Sequence, residues 1–147
     1  MGCIFCDIVA KTAPASIIYE DEHTLAFMDL FPMRPGHALV IPKTHACFVS
    51  ELNSEQRSRL FDVGEAILAA HKKTDCDIKG HNLVINDGPV ANQHVPHVHL
   101  HVIPRKKGDL PKTLFSFASR YMNYFGMEAR RRELDKAAET LRRGMQI

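Results

Sequence analysis

The stretch Pro96-His97-Val98-His99-Leu100-His101-Val102-Ile103-Pro104 decides how the chain is read. Histidines 97, 99 and 101 alternate strictly with aliphatic residues, and in an extended strand side chains two apart share a face. Three imidazoles therefore line one face while Val98, Leu100 and Val102 line the other. Polar strand faces are ordinarily mixtures of Thr, Lys and Glu, so one titratable type repeated three times points to chemistry more than to solvation. Pro96 is tolerated where such a strand begins, and Pro104 is expected to end it.

Outward from this strand, Lys79 to Asn86 reads as another, through Leu83-Val84-Ile85, with Asp87-Gly88-Pro89 as the turn between the two. Ile17 to Glu20 and Thr24 to Asp29 read as short strands around a polar turn, and His37 to Pro42 as a buried strand after the loop Phe31–Gly36. Asn53 with Gln56 at the capping-box position predicts a long helix over 54–73, on whose apolar stripe lie Leu60, Gly64, Ile67, Leu68 and His71. Gly64 either lets another backbone approach or is a tolerated glycine; His71 reads as a core-edge residue. Apolar residues at 4, 5, 8 and 9 predict a short N-terminal helical turn halted by Pro14. Beyond an aromatic run (Phe115, Phe117, Tyr121, Tyr124, Phe125), which suits core, substrate wall or interface, a helix is expected over 127–143.

Composition bounds the function classes. The 147 residues suit one domain, 45% hydrophobic and 24% charged, and no apolar run is long enough to span a bilayer. Net charge is +2, and Arg130–Arg132, Arg142 and Arg143 are interleaved with acids, which favours a solvated helix face over a nucleic-acid patch. The N-terminal residues lack the layout of a signal peptide, so a cytoplasmic, reducing setting is expected, in which four cysteines serve as metal ligands or free thiols.

Two chemistries fit the histidine face. The three imidazoles could hold a catalytic metal with an open position. Alternatively one imidazole attacks phosphorus while its neighbours stabilise the developing charge, and the phosphorus–nitrogen bond so formed is cleaved readily because imidazole departs protonated. Asn86 and Gln93 offer amide donors for phosphate oxygens, although Asn and Gly also simply form turns.

The chain resembles the histidine triad family, whose signature is His-x-His-x-His followed by two apolar residues. The resemblance extends over roughly residues 3 to 107, through Ile4-Phe5, Leu25-Ala26-Phe27-Met28-Asp29, Pro35-Gly36-His37-Ala38-Leu39-Val40-Ile41-Pro42-Lys43 and Asn86-Asp87-Gly88. It implies an α+β fold with an antiparallel sheet of about five strands, one long helix, and residues 1–110 as the triad domain with a helical tail, 111–147, packed on it. It also implies a homodimer joining two sheets and attack on the α-phosphate of a purine nucleotide, such as a nucleoside phosphoramidate or dinucleoside polyphosphate.

Carried over by position, the resemblance makes His99 the nucleophile, with His101 on the α-phosphate and His97 and His37 orienting the centre. Asp29 matches the ribose position, and Ile4, Phe5, Ile8, Phe27 and Leu30 match the walls around the base. Asn86 and Gln93 fall near the phosphate and leaving group. No metal is needed for that chemical step; a metal hydrolase and a non-catalytic nucleotide-binding module are the competing readings. Departures from the adenosine phosphoramidate branch are the absence of tryptophan, Ala91-Asn92 in place of a diglycine, and His94 where a small hydroxyl residue is usual. The spacing of Cys3-x-x-Cys6 does not by itself assign a metal. Some triad proteins carry zinc on a Cys, Cys, His, His set, and the resemblance implies Cys3, Cys6, His45 and His94 as ligands of a closed structural site.

Overall fold

Every residue of Thr24–Met28 and of Ala38–Pro42 is buried, which a strand achieves only when both of its faces are covered. In the computed structural model, which describes residues 2–119 and 127–145, with the backbone alone at 117–119, these are β2 and β3 of a five-stranded antiparallel sheet. The other strands are β1 (Ile17–Glu20), β4 (Ile78–Ile85) and β5 (Leu100–Lys106), in the order β1-β2-β3-β5-β4. The α-helices among the described residues are α1 (Ile4–Val9), α2 (Ser54–Thr74), α3 (Leu110–Ser119) and α4 (Met127–Gly144). The fold is α+β.

Alternation divides the two faces of the sheet between the helices. Ala26, Met28, Ala38, Val40, Leu100 and Val102 share a core with Leu60, Val63 and Ile67 of α2. Leu25, Phe27, Leu39 and Ile41 face the other way, onto Phe5 and Ile8 of α1. The register sets Phe27 opposite Leu39 and Leu39 opposite His101, so the α1 face carries the His101 ring beside a second, smaller core.

Helix α2 starts where its capping box requires: Asn53 Oδ1 accepts from the Gln56 amide at 2.8 Å, and Gln56 Oε1 accepts from the Asn53 amide at 3.0 Å. A Cβ on Gly64 would stand 3.0 Å from Leu100 Cδ2, so the missing methyl admits a side chain of β5 and not a backbone. The tail helix α4 sets Leu134, Ala138 and Leu141 into the α2 core and reaches β1, before which Ser16 Oγ donates to the Asp135 carboxylate. Of the aromatic run, Phe115 is exposed, while the Phe117 side chain, Tyr121, Tyr124 and Phe125 lie outside the described residues. No described helix is long and apolar enough to cross a membrane.

Strand β5 differs from the expected 97–103. Its ladder opens at Leu100 and runs through Pro104, which stands opposite His81. β3 pairs with β5 only as far as Val102, so beyond that point the missing proline N–H removes no bond to β3. Ahead of the ladder, the Val98 amide donates to the Ala46 carbonyl at 2.7 Å. The alternation nevertheless holds, with Val98 in the α2 core and the rings of His97 and His99 edge-on to Phe5.

Candidate active site

A neutral imidazole carries one N–H and one lone pair, so each ring's partners decide which nitrogen can react. Nδ1 of His99 lies 2.7 Å from the His97 carbonyl, to which it can only donate; the lone pair is therefore on Nε2. His97 Nε2 donates to the Pro42 carbonyl at 2.8 Å, leaving its lone pair on Nδ1. His37 Nδ1 accepts the Met33 amide at 3.1 Å, so its hydrogen is on Nε2, 2.9 Å from His101 Nδ1 and 3.5 Å from the Asp29 carboxylate. His101 must then accept at Nδ1 and carry its own hydrogen on Nε2. The result is a lone pair on His99 beside an N–H on His101, with ring centroids 4.8 Å apart. Nucleophile and oxyanion donor need that pairing.

Both rings line a cavity of about 470 Å³. Ile4, Phe5, Ile8, Phe27 and Leu30 form its apolar wall, and Asp29 and Asn86 also border it. Asp29 is buried, and one of its oxygens accepts the Phe31 amide at 2.9 Å. His37 and His97 stand behind the lining, His37 bonded to the His101 ring and His97 presenting its carbonyl to the His99 ring. Gln93 does not line the cavity: its Oε1 accepts the Gly88 amide at 2.8 Å and its Nε2 donates to the Cys47 carbonyl at 2.7 Å, so it holds the loop. Met127 and Arg131 of α4 also line the cavity, and no motif in the sequence singles them out.

The sulfur-rich group differs from expectation in one member. Cys3, Cys6 and His45 converge with His97, their ligand atoms all within 4.8 Å of one another, whereas His94 lines the cavity instead. The reason is the ring setting: with Nε2 tied to Pro42, His97 turns Nδ1 to within 3.5 Å of Cys3 Sγ and 3.7 Å of Cys6 Sγ, and His45 Nδ1 is 3.3 Å from Cys6 Sγ. Tetrahedral zinc with two sulfur and two nitrogen ligands has ligand-to-ligand edges of roughly 3.3–3.8 Å, which the three sulfur–nitrogen distances above match, and the other pairs lie within 4.8 Å. Burial and Cys3 push the Cys6 thiol above its ordinary value, a bias that a divalent cation reverses by taking the thiolates. Burial, with His45 and His99 nearby, lowers the pKa of His97, which keeps it in the neutral form a ligand requires.

A five-stranded antiparallel sheet bearing three imidazoles on the face under an N-terminal helix defines a histidine triad protein. The family model for the HIT domain matches residues 10–108, and the chain belongs to that family. It is 43% identical over 107 residues to an uncharacterised HIT-like protein of Methanocaldococcus jannaschii, covering 73% of this chain and 81% of that one. It is 38% identical over 105 residues to the adenosine 5′-monophosphoramidase of Schizosaccharomyces pombe, covering 71% and 75%. Among solved structures, a zinc-bound histidine triad family protein from Mycobacterium smegmatis is 38% identical, with a TM-score of 0.73 over 96% of each chain.

Proposed function

We propose that the protein is a nucleotidyl hydrolase or transferase that cleaves at the α-phosphate of a purine nucleoside phosphoramidate or dinucleoside polyphosphate through an adduct on His99. The observation that carries this is the hydrogen bond from His99 Nδ1 to the His97 carbonyl, which leaves a nucleophilic Nε2 at the cavity. Attack forms a P–Nε2 bond as the bond to the departing group breaks, an amine leaving with a proton taken from solvent and a phosphate leaving as the anion, and His101 Nε2–H donates to the oxygen on which charge builds. Water then attacks the same phosphorus and the imidazole leaves, or an acceptor takes the nucleotidyl group. Asp29 binds the ribose hydroxyls, and the apolar wall takes the base. The named activity of the S. pombe relative supports the phosphoramidate reading.

A metal hydrolase needs a different arrangement. His97 turns its lone pair to the cysteines, so the three triad nitrogens do not converge on one ion. Asp29, His37 and His101 do cluster, but the Met33 amide keeps the His37 hydrogen on the nitrogen that would have to bind. In this reading a structural zinc is held by Cys3, Cys6, His45 and His97; it would tie α1 to the approach of β5 and leave no position for water. The assembly is a homodimer, and the location cytoplasmic.

The test uses adenosine 5′-phosphoramidate labelled in the nucleotide, an alkaline quench and mapping of the labelled peptide. We expect an adduct on His99 and a loss of turnover of about a thousandfold or more in His99→Ala. Undiminished turnover in that variant overturns the covalent route, and binding without adduct or turnover leaves a nucleotide-binding module.

A further inference from the structure

We propose that Arg131, on the tail helix, makes the cavity selective for a 6-oxopurine, guanine above all, over adenine. The inference rests on the nucleotide reading above and adds the base to it. Helix α4 lies outside the matched residues 10–108, yet Met127 and Arg131 line the cavity.

Two contacts locate that wall. Asp135, one helical turn beyond Arg131, accepts from Ser16 Oγ at the start of β1. The guanidinium of Arg130, the residue before, lies 5.4 Å from the ring centroid of Phe31, just past β2. The strand order puts β1 at one edge of the sheet and β4, which leads to Asn86, at the other. Arg131 therefore stands at the end bordered by Pro14, Ala15, Leu30 and Phe31, away from the loop that approaches the leaving group. That is the base end in the reading above.

With Asp29 taken by the ribose in the reading above, a base at this end meets the apolar side chains of Leu30 and Phe31 and the guanidinium of Arg131. Arg131 is half-buried and forms no ion pair among the described residues, unlike Arg34 and Arg105 on Asp109 or Arg59 on Asp21. A guanidinium is a planar fork of donors with no acceptor. Guanine presents two adjacent acceptors, O6 and N7, which such a fork engages together; adenine presents N7 beside the N6 amino group, a donor facing a donor. Walls that exclude water sharpen the contrast, because a group left unpaired there has no solvent to turn to. Arginine in an apolar base pocket thus reads the 6-position, and adenine is the base it disfavours.

The test is titration calorimetry on the full chain with guanosine, inosine and adenosine 5′-monophosphates. We expect guanosine to bind about tenfold or more tighter than adenosine, with inosine, which keeps O6 and N7, following guanosine. Arg131→Leu should bring the ratio to within about twofold by weakening the two 6-oxopurines, and Arg131→Lys should fall between, since an ammonium keeps the charge without the fork. Should Arg131→Leu fail to fold, as judged by circular dichroism, the ratio in Arg131→Lys decides. A wild-type ratio near one, or a preference for guanosine that survives the loss of the guanidinium, overturns the proposal. If that happens while the His99 adduct still forms from the adenosine substrate, the catalytic reading stands. If no nucleotide binds the wild type and no adduct forms, the nucleotide reading itself falls.

Discussion

Histidine is asymmetric at the scale of a single ring, and this chain uses the asymmetry four times. Pro42, Met33 and His97 are partners through their backbones, so the tautomers of His97, His37 and His99 are set by main chain that cannot easily move away. His71 shows the same device without chemistry. Its Nε2 donates to the Gly36 carbonyl at 2.9 Å, under a glycine at φ 89° whose Cβ would meet the ring at 3.1 Å. Burial, with the stacked His81 ring adding to it, lowers the His71 pKa to about 4. The unfolded chain takes up this proton near pH 6.5 and the folded protein only near 4, so stability falls as the pH drops through that window, by about 3 kcal/mol from this residue. Urea unfolding from pH 7 to 4 should show that loss, and His71→Gln, which keeps a donor for Gly36 and cannot titrate, should remove about that much of the slope. The exchange of His94 for His97 among the cysteines belongs to this scale too. Sequence parity says which face a side chain takes, but the rotation of the His97 ring depends on a carbonyl 55 positions away, and no local pattern carries that.

Elements whose cause is local were legible. The long helix starts at its Asn53–Gln56 box and ends one residue past expectation, and β2 and β3 show in their unbroken hydrophobicity because each is covered on both sides. What escaped depends on neighbours: β5 continues through Pro104 because β3 has already stopped pairing, and α4 supplies cavity wall because of how it crosses β1. Helix α1 is six residues, too short to be stable alone, and is held by Phe5 and Ile8 in the smaller core and, in the proposed reading, by zinc. Cys3→Ser and Cys6→Ser should each abolish stoichiometric zinc measured by elemental analysis. Because α1 carries Ile4 and Phe5 of the cavity wall, they should also raise KM about tenfold or more. A metal-free wild type, or variants with unchanged zinc content, would falsify the site.

For the whole molecule, the sheet ends in β4, an edge strand that exposes Leu83 and Val84 beside its unpaired backbone. Such an edge is ordinarily charged or covered, and a two-fold association along it would cover it with a copy of itself. Sedimentation at micromolar concentration should give the mass of two chains, and Val84→Lys, which puts a charge on the exposed edge, should give one; a monomeric wild type would sink the dimer. The cavity, finally, has two kinds of wall. One is β5 with the segment leading into it, which brings His99 and His101 and is knit into the sheet by pairing on both sides and into the core by Leu100 and Val102, so that a change there disturbs sheet and core together. The other is α4, laid on from outside the family domain, with Met127 and Arg131 on a helix joined to the rest by its far turns. In the readings proposed above the reaction sits on the first wall and the choice of base on the second, so a change confined to the tail should alter which nucleotide is preferred and leave the chemical step in place.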